Sequence, residues 1–142
     1  MPHSNQGSKW IRPEKRLAIY CRDQFTCAYC SRNGHRRRIG NADGGAILTL
    51  DHLVAEGGNG AVNLVTCCRS CNSSRKDQTT RQWFARLRER GIDTLAVRQR
   101  IRRLTSRSLD RYRKMAETLD PCFVAELRQR ASNSWKEEHI YG

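Results

Sequence analysis

The chain has 142 residues, seven of them cysteine, and carries 27 Lys and Arg against 14 Asp and Glu, a formal charge of +13. That length supports about one domain, and so basic a chain implies an anionic partner, for which a phosphate backbone is the usual choice. No apolar run approaches the ~18 residues of a membrane-spanning helix, Met1 to Lys9 lacks the apolar core of a signal peptide, and knuckle-type cysteines suit a reducing compartment. The expectation is an intracellular, cytoplasmic protein without a membrane partner.

Met1 to Ser8 reads as a polar tail in which His3 is solvated. Pro13-Glu14 fits the opening of a helix that runs through Asp23, with Leu17, Tyr20 and Cys21 near one face. Two Cys-x-x-Cys pairs follow, Cys27/Cys30 and Cys68/Cys71. Thiolates at this spacing on a tight turn bind one tetrahedral Zn²⁺ from the same side, and two such turns complete a structural site with no open position. Two disulfides or four buried thiols are the alternatives. Cys67 competes with Cys68 through a Cys-x3-Cys spacing, and Cys68 is preferred because it restores the symmetric pair. Phe25 and Tyr29 are expected to pack around the first knuckle. From Ser31 to Gly45 the chain is polar and basic, and Arg36, Arg37 and Arg38 either straddle phosphates or form a solvated charge run.

Inside the staple, Ala46 to Leu50 is a short apolar and β-branched run ending in Asp51-His52, a strand that delivers an acid and an imidazole to its end. Successive strand residues face opposite ways, so the two point differently unless the strand is kinked. Glu56 to Gly60 is a turn-rich loop, Val62 to Thr66 a second strand, Asn72 to Ser74 a helix-capping stretch, and Gln82 to Arg90 a helix with Phe84 and Leu87 on one side. The order is strand, loop, strand, helix.

Gly91 reads as a helix stop, and beyond it the composition changes. Asp93 to Leu104 carries Leu95, Ile101 and Leu104 at helical spacing, Leu109 to Leu119 repeats the pattern, and Pro121 opens a further segment from Cys122 to Ala131. After residue 91 there are 11 Lys and Arg against 7 Asp and Glu, which leaves +9 of the +13 in the part that bears the motifs. The chain is accordingly divided at residue 91, with a motif-bearing domain over 1–91 and a basic amphipathic helical extension over 92–142. The Arg98 to Lys114 region either grips DNA or forms a charged outer face. Trp135, His139 and Tyr141 belong to no recognisable pattern.

Asp51-His52, Asn63 and Cys71-Asn72, framed by the cysteine pairs and preceded by Arg22-Asp23, resemble the HNH endonuclease family over residues 10–80. The resemblance implies an α+β fold: a small ββα-metal core stapled by a four-cysteine zinc site, with an N-terminal helix and a helical C-terminal extension. It implies metal-dependent hydrolysis of DNA phosphodiester bonds. His52 would be the general base, since an imidazole takes a proton from water near neutral pH. Asp51 would hold Mg²⁺ or Mn²⁺ through a hard carboxylate oxygen, and Asn72, where many members carry histidine, would add its amide oxygen or serve as a plain helix cap. Asn63 has no acid or base chemistry, so its role would be to bond backbone and fix the loop carrying His52; in some members the equivalent asparagine is itself a metal ligand, and an ordinary turn asparagine is the alternative. Arg75 and Lys76, near the start of the last core helix, would either neutralise the scissile phosphate or be plain surface charge. The rival reading is a zinc-ribbon nucleic-acid-binding module that cuts nothing. Small members of the family occur as free nucleases and in phage packaging, mobile-intron and restriction systems, so a protein partner and the oligomeric state are left open.

Overall fold

The structure, a computed structural model, describes residues 11–34 and 46–130. Helix α1 spans Pro13–Arg22 and opens on proline, whose fixed φ and missing N–H suit the first helical position. It buries Ala18, Ile19, Tyr20 and Cys21. The chain leaves α1 through Gln24 and Phe25, both left-handed with φ of 57° and 53°, and Phe25 N–H returns to the Tyr20 carbonyl at 2.8 Å. A left-handed phenylalanine costs on the order of 1–2 kcal/mol. Packing of its ring, edge-on to Phe123 at 5.4 Å, offsets that cost.

The Arg22-Asp23 pair ties this turn to the sheet. Arg22 Nε meets Asp23 Oδ1 at 2.7 Å with both side chains almost fully buried. Its remaining donors reach the Ala61 carbonyl at 2.8 Å and the Leu64 carbonyl at 2.6 Å, and Asp23 Oδ2 accepts the Thr66 N–H at 2.8 Å. A buried ion pair is tolerated when its other donors and acceptors are satisfied in this way.

Strand β1 covers Leu48–His52 and strand β2 covers Leu64–Cys68. They pair antiparallel, from Leu48 opposite Cys68 to His52 opposite Leu64. The first strand therefore begins later than expected and includes Asp51 and His52 as paired residues. The second also begins later, because Ala61–Asn63 forms a single 3-10 turn closed by Asn63 N–H to the Gly60 carbonyl at 2.9 Å.

Helix α2 spans Arg69–Arg75, with the Cys68 side chain accepting the Cys71 N–H as its cap. Asn72 to Ser74 thus lie inside the helix rather than at its entry, a correction to the capping expectation. A sulfur that can face both a metal and a helix N-terminus displaces the more familiar oxygen caps. Helix α3, Thr80–Glu89, has a reciprocal Thr79/Gln82 capping box and buries Trp83, Phe84 and Leu87. Gly91, at φ 86°, turns the chain out of it.

Three helices follow: α4 (Thr94–Thr105), α5 (Asp110–Glu117) and α6 (Pro121–Arg130). In α4 the inward stripe is Thr94, Val97 and Ile101, spaced at intervals of three and four. Leu95 lies about 100° from Thr94 around the axis, and it is 64% exposed. The composition change at residue 91 is not a break in packing. One buried cluster runs from Ile19 and Leu64 through Trp83 to Val97, Tyr112 and Leu127. Arg98 stacks on the Phe84 ring at 4.4 Å, and Arg100 donates to the Ala28 carbonyl at 2.5 Å inside the first knuckle.

The fold class is α+β, with six helices and one two-stranded sheet among the described residues. None of these helices is long and apolar enough to cross a membrane.

Candidate functional site

The turn after α1 presents Cys27 and Cys30, and the end of β2 and first turn of α2 present Cys68 and Cys71. Their four Sγ atoms all lie within 4.8 Å of one another, and Cys30 Sγ is 3.6 Å from Cys68 Sγ. Tetrahedral zinc with bonds of about 2.3 Å separates its sulfurs by about 3.8 Å, so the cluster has the dimensions to hold a metal such as zinc. All seven cysteines are unbridged. Backbone N–H groups of Tyr29 and Cys71 point at Cys27 Sγ and Cys68 Sγ, each at 3.4 Å, and such bonds favour thiolate. Hydrogen bonds from Cys30 and the other nearby thiols hold Cys27 far below the usual thiol range. The bond with Cys27 pushes Cys30 and Cys71 upward in turn. A bound cation would favour the deprotonated form of all four. Cys67 stands outside the set. Its thiol donates to the Cys68 carbonyl at 3.3 Å, and its bond with Cys27, followed by burial, raises it well above the usual value.

A cleft of about 420 Å³ is lined by Asp51 and His52 of β1 and by Asn72, Arg75 and Lys76. Five candidate site residues from two separated stretches therefore share one opening. His52 is half-buried, and its Nε2 lies 2.7 Å from Asn59 Oδ1. The Asn59 backbone carbonyl in turn accepts from Lys15 Nζ of α1.

Asp51 is held from behind. Its Oδ2 accepts from the Tyr29 hydroxyl and from Arg75 Nη1, each at 2.5 Å, while Oδ1 makes no hydrogen bond among the described residues. Burial, then the neighbouring Asp51 charge, drives the Tyr29 hydroxyl far above the usual range, so it remains a donor. Arg75 also donates to the carbonyls of His52 at 3.1 Å and Leu53 at 3.0 Å. Its guanidinium fastens the end of β1 to α2 and is only 5% exposed. That is a different placement from the surface phosphate contact expected of it. Lys76 is exposed.

Asn63 sits behind the loop. Its Oδ1 accepts the Val54 N–H, and its Nδ2 donates to the Val54 and Gly58 carbonyls, all at 2.9 Å. One amide thereby clamps both ends of the loop that follows His52. Gly57 lies against it, since a Cβ there would come within 2.8 Å of Asn63 Cγ. Asn72 is exposed on α2. Arg36, Arg37 and Arg38 lie outside the described residues.

Three contributors escaped the sequence reading: Asn59 beside His52, the Tyr29 hydroxyl on Asp51, and the inward turn of Arg75. The only sequence signals were a polar residue in a glycine-rich loop and a tyrosine between two cysteines. No family model, curated protein or solved structure matches this chain, so its function is argued from these residues.

Proposed function

We propose that the protein is a metal-dependent DNA endonuclease of HNH type, with a structural zinc at Cys27, Cys30, Cys68 and Cys71. The observation that carries the reading is the common cleft of Asp51, His52 and Asn72, backed by the Asn63 clamp on the loop after His52. A binding module has no need of that constellation.

In this reading His52 accepts the proton of the attacking water. With Nε2 donating to Asn59 Oδ1, the basic nitrogen of the neutral imidazole is Nδ1. Arg75 and Tyr29 hold Asp51 by one oxygen, which leaves Oδ1 and the Asn72 amide oxygen as the hard donors on the cleft. Mg²⁺ or Mn²⁺ bound there would relieve charge on the phosphate and the leaving oxygen. Lys76, on the same cleft, offers a cation to a non-bridging phosphate oxygen.

Supercoiled plasmid with purified protein should become nicked circle when Mg²⁺ or Mn²⁺ is supplied and stay supercoiled when it is withheld. His52→Ala should slow nicking by about a hundredfold to ten-thousandfold while zinc content and DNA affinity stay at parental values. Nicking by His52→Ala at the parental rate would remove the mechanism.

One observation favours the zinc-ribbon binding module instead: Asp51 is bonded to Arg75 and Tyr29 as a packing group would be. On that reading the protein binds plasmid and leaves it supercoiled with every divalent ion.

A further inference from the structure

A second hollow, of about 780 Å³, opens beside the cysteine cluster. Arg32 of the first knuckle, Arg69 and Lys76 at the two ends of α2, and Arg86 of α3 line it together with three serines, and among the described residues no acidic one does. All four cationic side chains are exposed.

These cations differ from six of the other arginines. Arg22 and Arg75 are committed to buried carboxylates, Arg90, Arg98 and Arg111 lie over aromatic rings, and Arg100 is bonded to the knuckle backbone. The side chains of Arg32, Arg69, Lys76 and Arg86 make no ion pair or hydrogen bond among the described residues. Four like charges gathered without a counter-charge repel one another, and a bound anion reverses the sign of that energy. The hollow is much larger than one phosphate needs and suits a run of them.

Helix geometry supplies the direction. Arg69, Ser73 and Lys76 recur at intervals of four and three and so share a face of α2, whereas Asn72 and Arg75 line the cleft of Asp51 and His52. Lys76 lines both openings, so the two hollows meet at its side chain.

We infer that the Arg32/Arg69/Arg86 groove is a docking track for the sugar-phosphate backbone of DNA, which Lys76 hands on to the His52 cleft. The inference rests on the proposal that DNA is the protein's partner, but not on cleavage.

The test is fluorescence anisotropy of a labelled DNA duplex across a salt series, with no Mg²⁺ or Mn²⁺ added. It compares Arg32→Ala/Arg69→Ala/Arg86→Ala with a control of equal charge change at exposed arginines outside both hollows, Arg12→Ala/Arg81→Ala/Arg88→Ala. The groove variant should bind at least about tenfold more weakly near 100 mM salt and lose about 2.7 from the log–log salt slope, roughly 0.9 for each phosphate contact removed. The control should lose less than about threefold by the same counterion argument. Equal losses in the two variants, or a groove variant with the parental slope, would overturn the track. Should the triple variant fail to fold, by circular dichroism and zinc content, Arg86→Glu on the well-capped α3 replaces it, and parental affinity there overturns the track equally. A weakened groove variant of a protein that never nicks plasmid would keep the track and discard the enzyme, and a nicking protein with an unaffected groove variant would do the reverse.

Discussion

The cysteine cluster and the His52 cleft both draw on the same short helix, α2, and they are built on different terms. In the cluster, four identical donors converge with their sulfurs within 4.8 Å of one another, each serving the same end. In the cleft, every residue has a different partner: Asp51 is gripped by Arg75 and Tyr29, Asn63 by the loop backbone, and His52 by Asn59. A site made of equivalent ligands fails all at once. A site made of unlike parts fails by degrees, so removing its members should separate fold from chemistry.

The largest expected effect falls on the cluster. Cys68 is at once a ligand candidate, the cap of α2 and the partner of Leu48 across the sheet. Cys68→Ser should abolish stoichiometric zinc binding and leave a poorly folded chain, because the ~10–16 kcal/mol typical of a structural zinc site is folding free energy. Elemental analysis and circular dichroism read the result together. A folded, zinc-free parent would make the cluster an ordinary set of buried thiols and erase the contrast with the cleft.

An intermediate effect is expected at Arg75, which belongs to both regions by joining the end of β1 to α2. Arg75→Ala strands the Asp51 carboxylate in a largely buried position, and breaking such a pair costs about 3–5 kcal/mol. Asp51→Asn keeps an oxygen acceptor for Tyr29 and should cost less in urea unfolding, yet reduce nicking more, since it weakens the hard donor on the cleft. If Asp51→Asn nicked at the parental rate, Asp51 would be a packing group and the binding-module reading would gain.

How much of this was legible follows the same division. The cluster could be read from spacing, because identical ligands two residues apart carry their geometry with them. The strand, loop, strand, helix order could be read from the apolar runs, although β2 starts only at Leu64 because Asn63 occupies a 3-10 turn. For Asn63 the sequence offered a backbone clamp, a metal ligand or a plain turn residue, and its three bonds to the loop backbone single out the clamp. The partners of Asp51 and His52 were not legible. Tyr29 lies 22 residues from Asp51 and Arg75 lies 24 from it, and periodicity states which face a residue occupies, not what the facing element presents. Leu95 marks the same limit, since the helix was foreseen and its inward stripe was not.

The smallest expected effect on stability, and the sharpest test of the contrast, lies at Asn59. Its amide contributes one partly exposed hydrogen bond to His52, so Asn59→Ala should change the unfolding free energy by no more than about 1.5 kcal/mol and leave zinc in place. If that bond keeps the proton on Nε2 and the ring in position, nicking should still fall by at least about tenfold, since misplacing a base by about 1 Å can cost a hundredfold. Asn59→Asp retains an oxygen acceptor, so it should recover most of the rate at alkaline pH. It should also shift the profile: a carboxylate beside the imidazole favours its protonated form, and protonation removes the base, so the acid limb of the pH–rate curve should move to higher pH. A pH series of plasmid nicking for parent, Ala and Asp variants contains the whole test. If Asn59→Ala nicked as fast as the parent while His52→Ala did not, His52 would be oriented by something other than this bond, and the Nδ1 assignment would go with it.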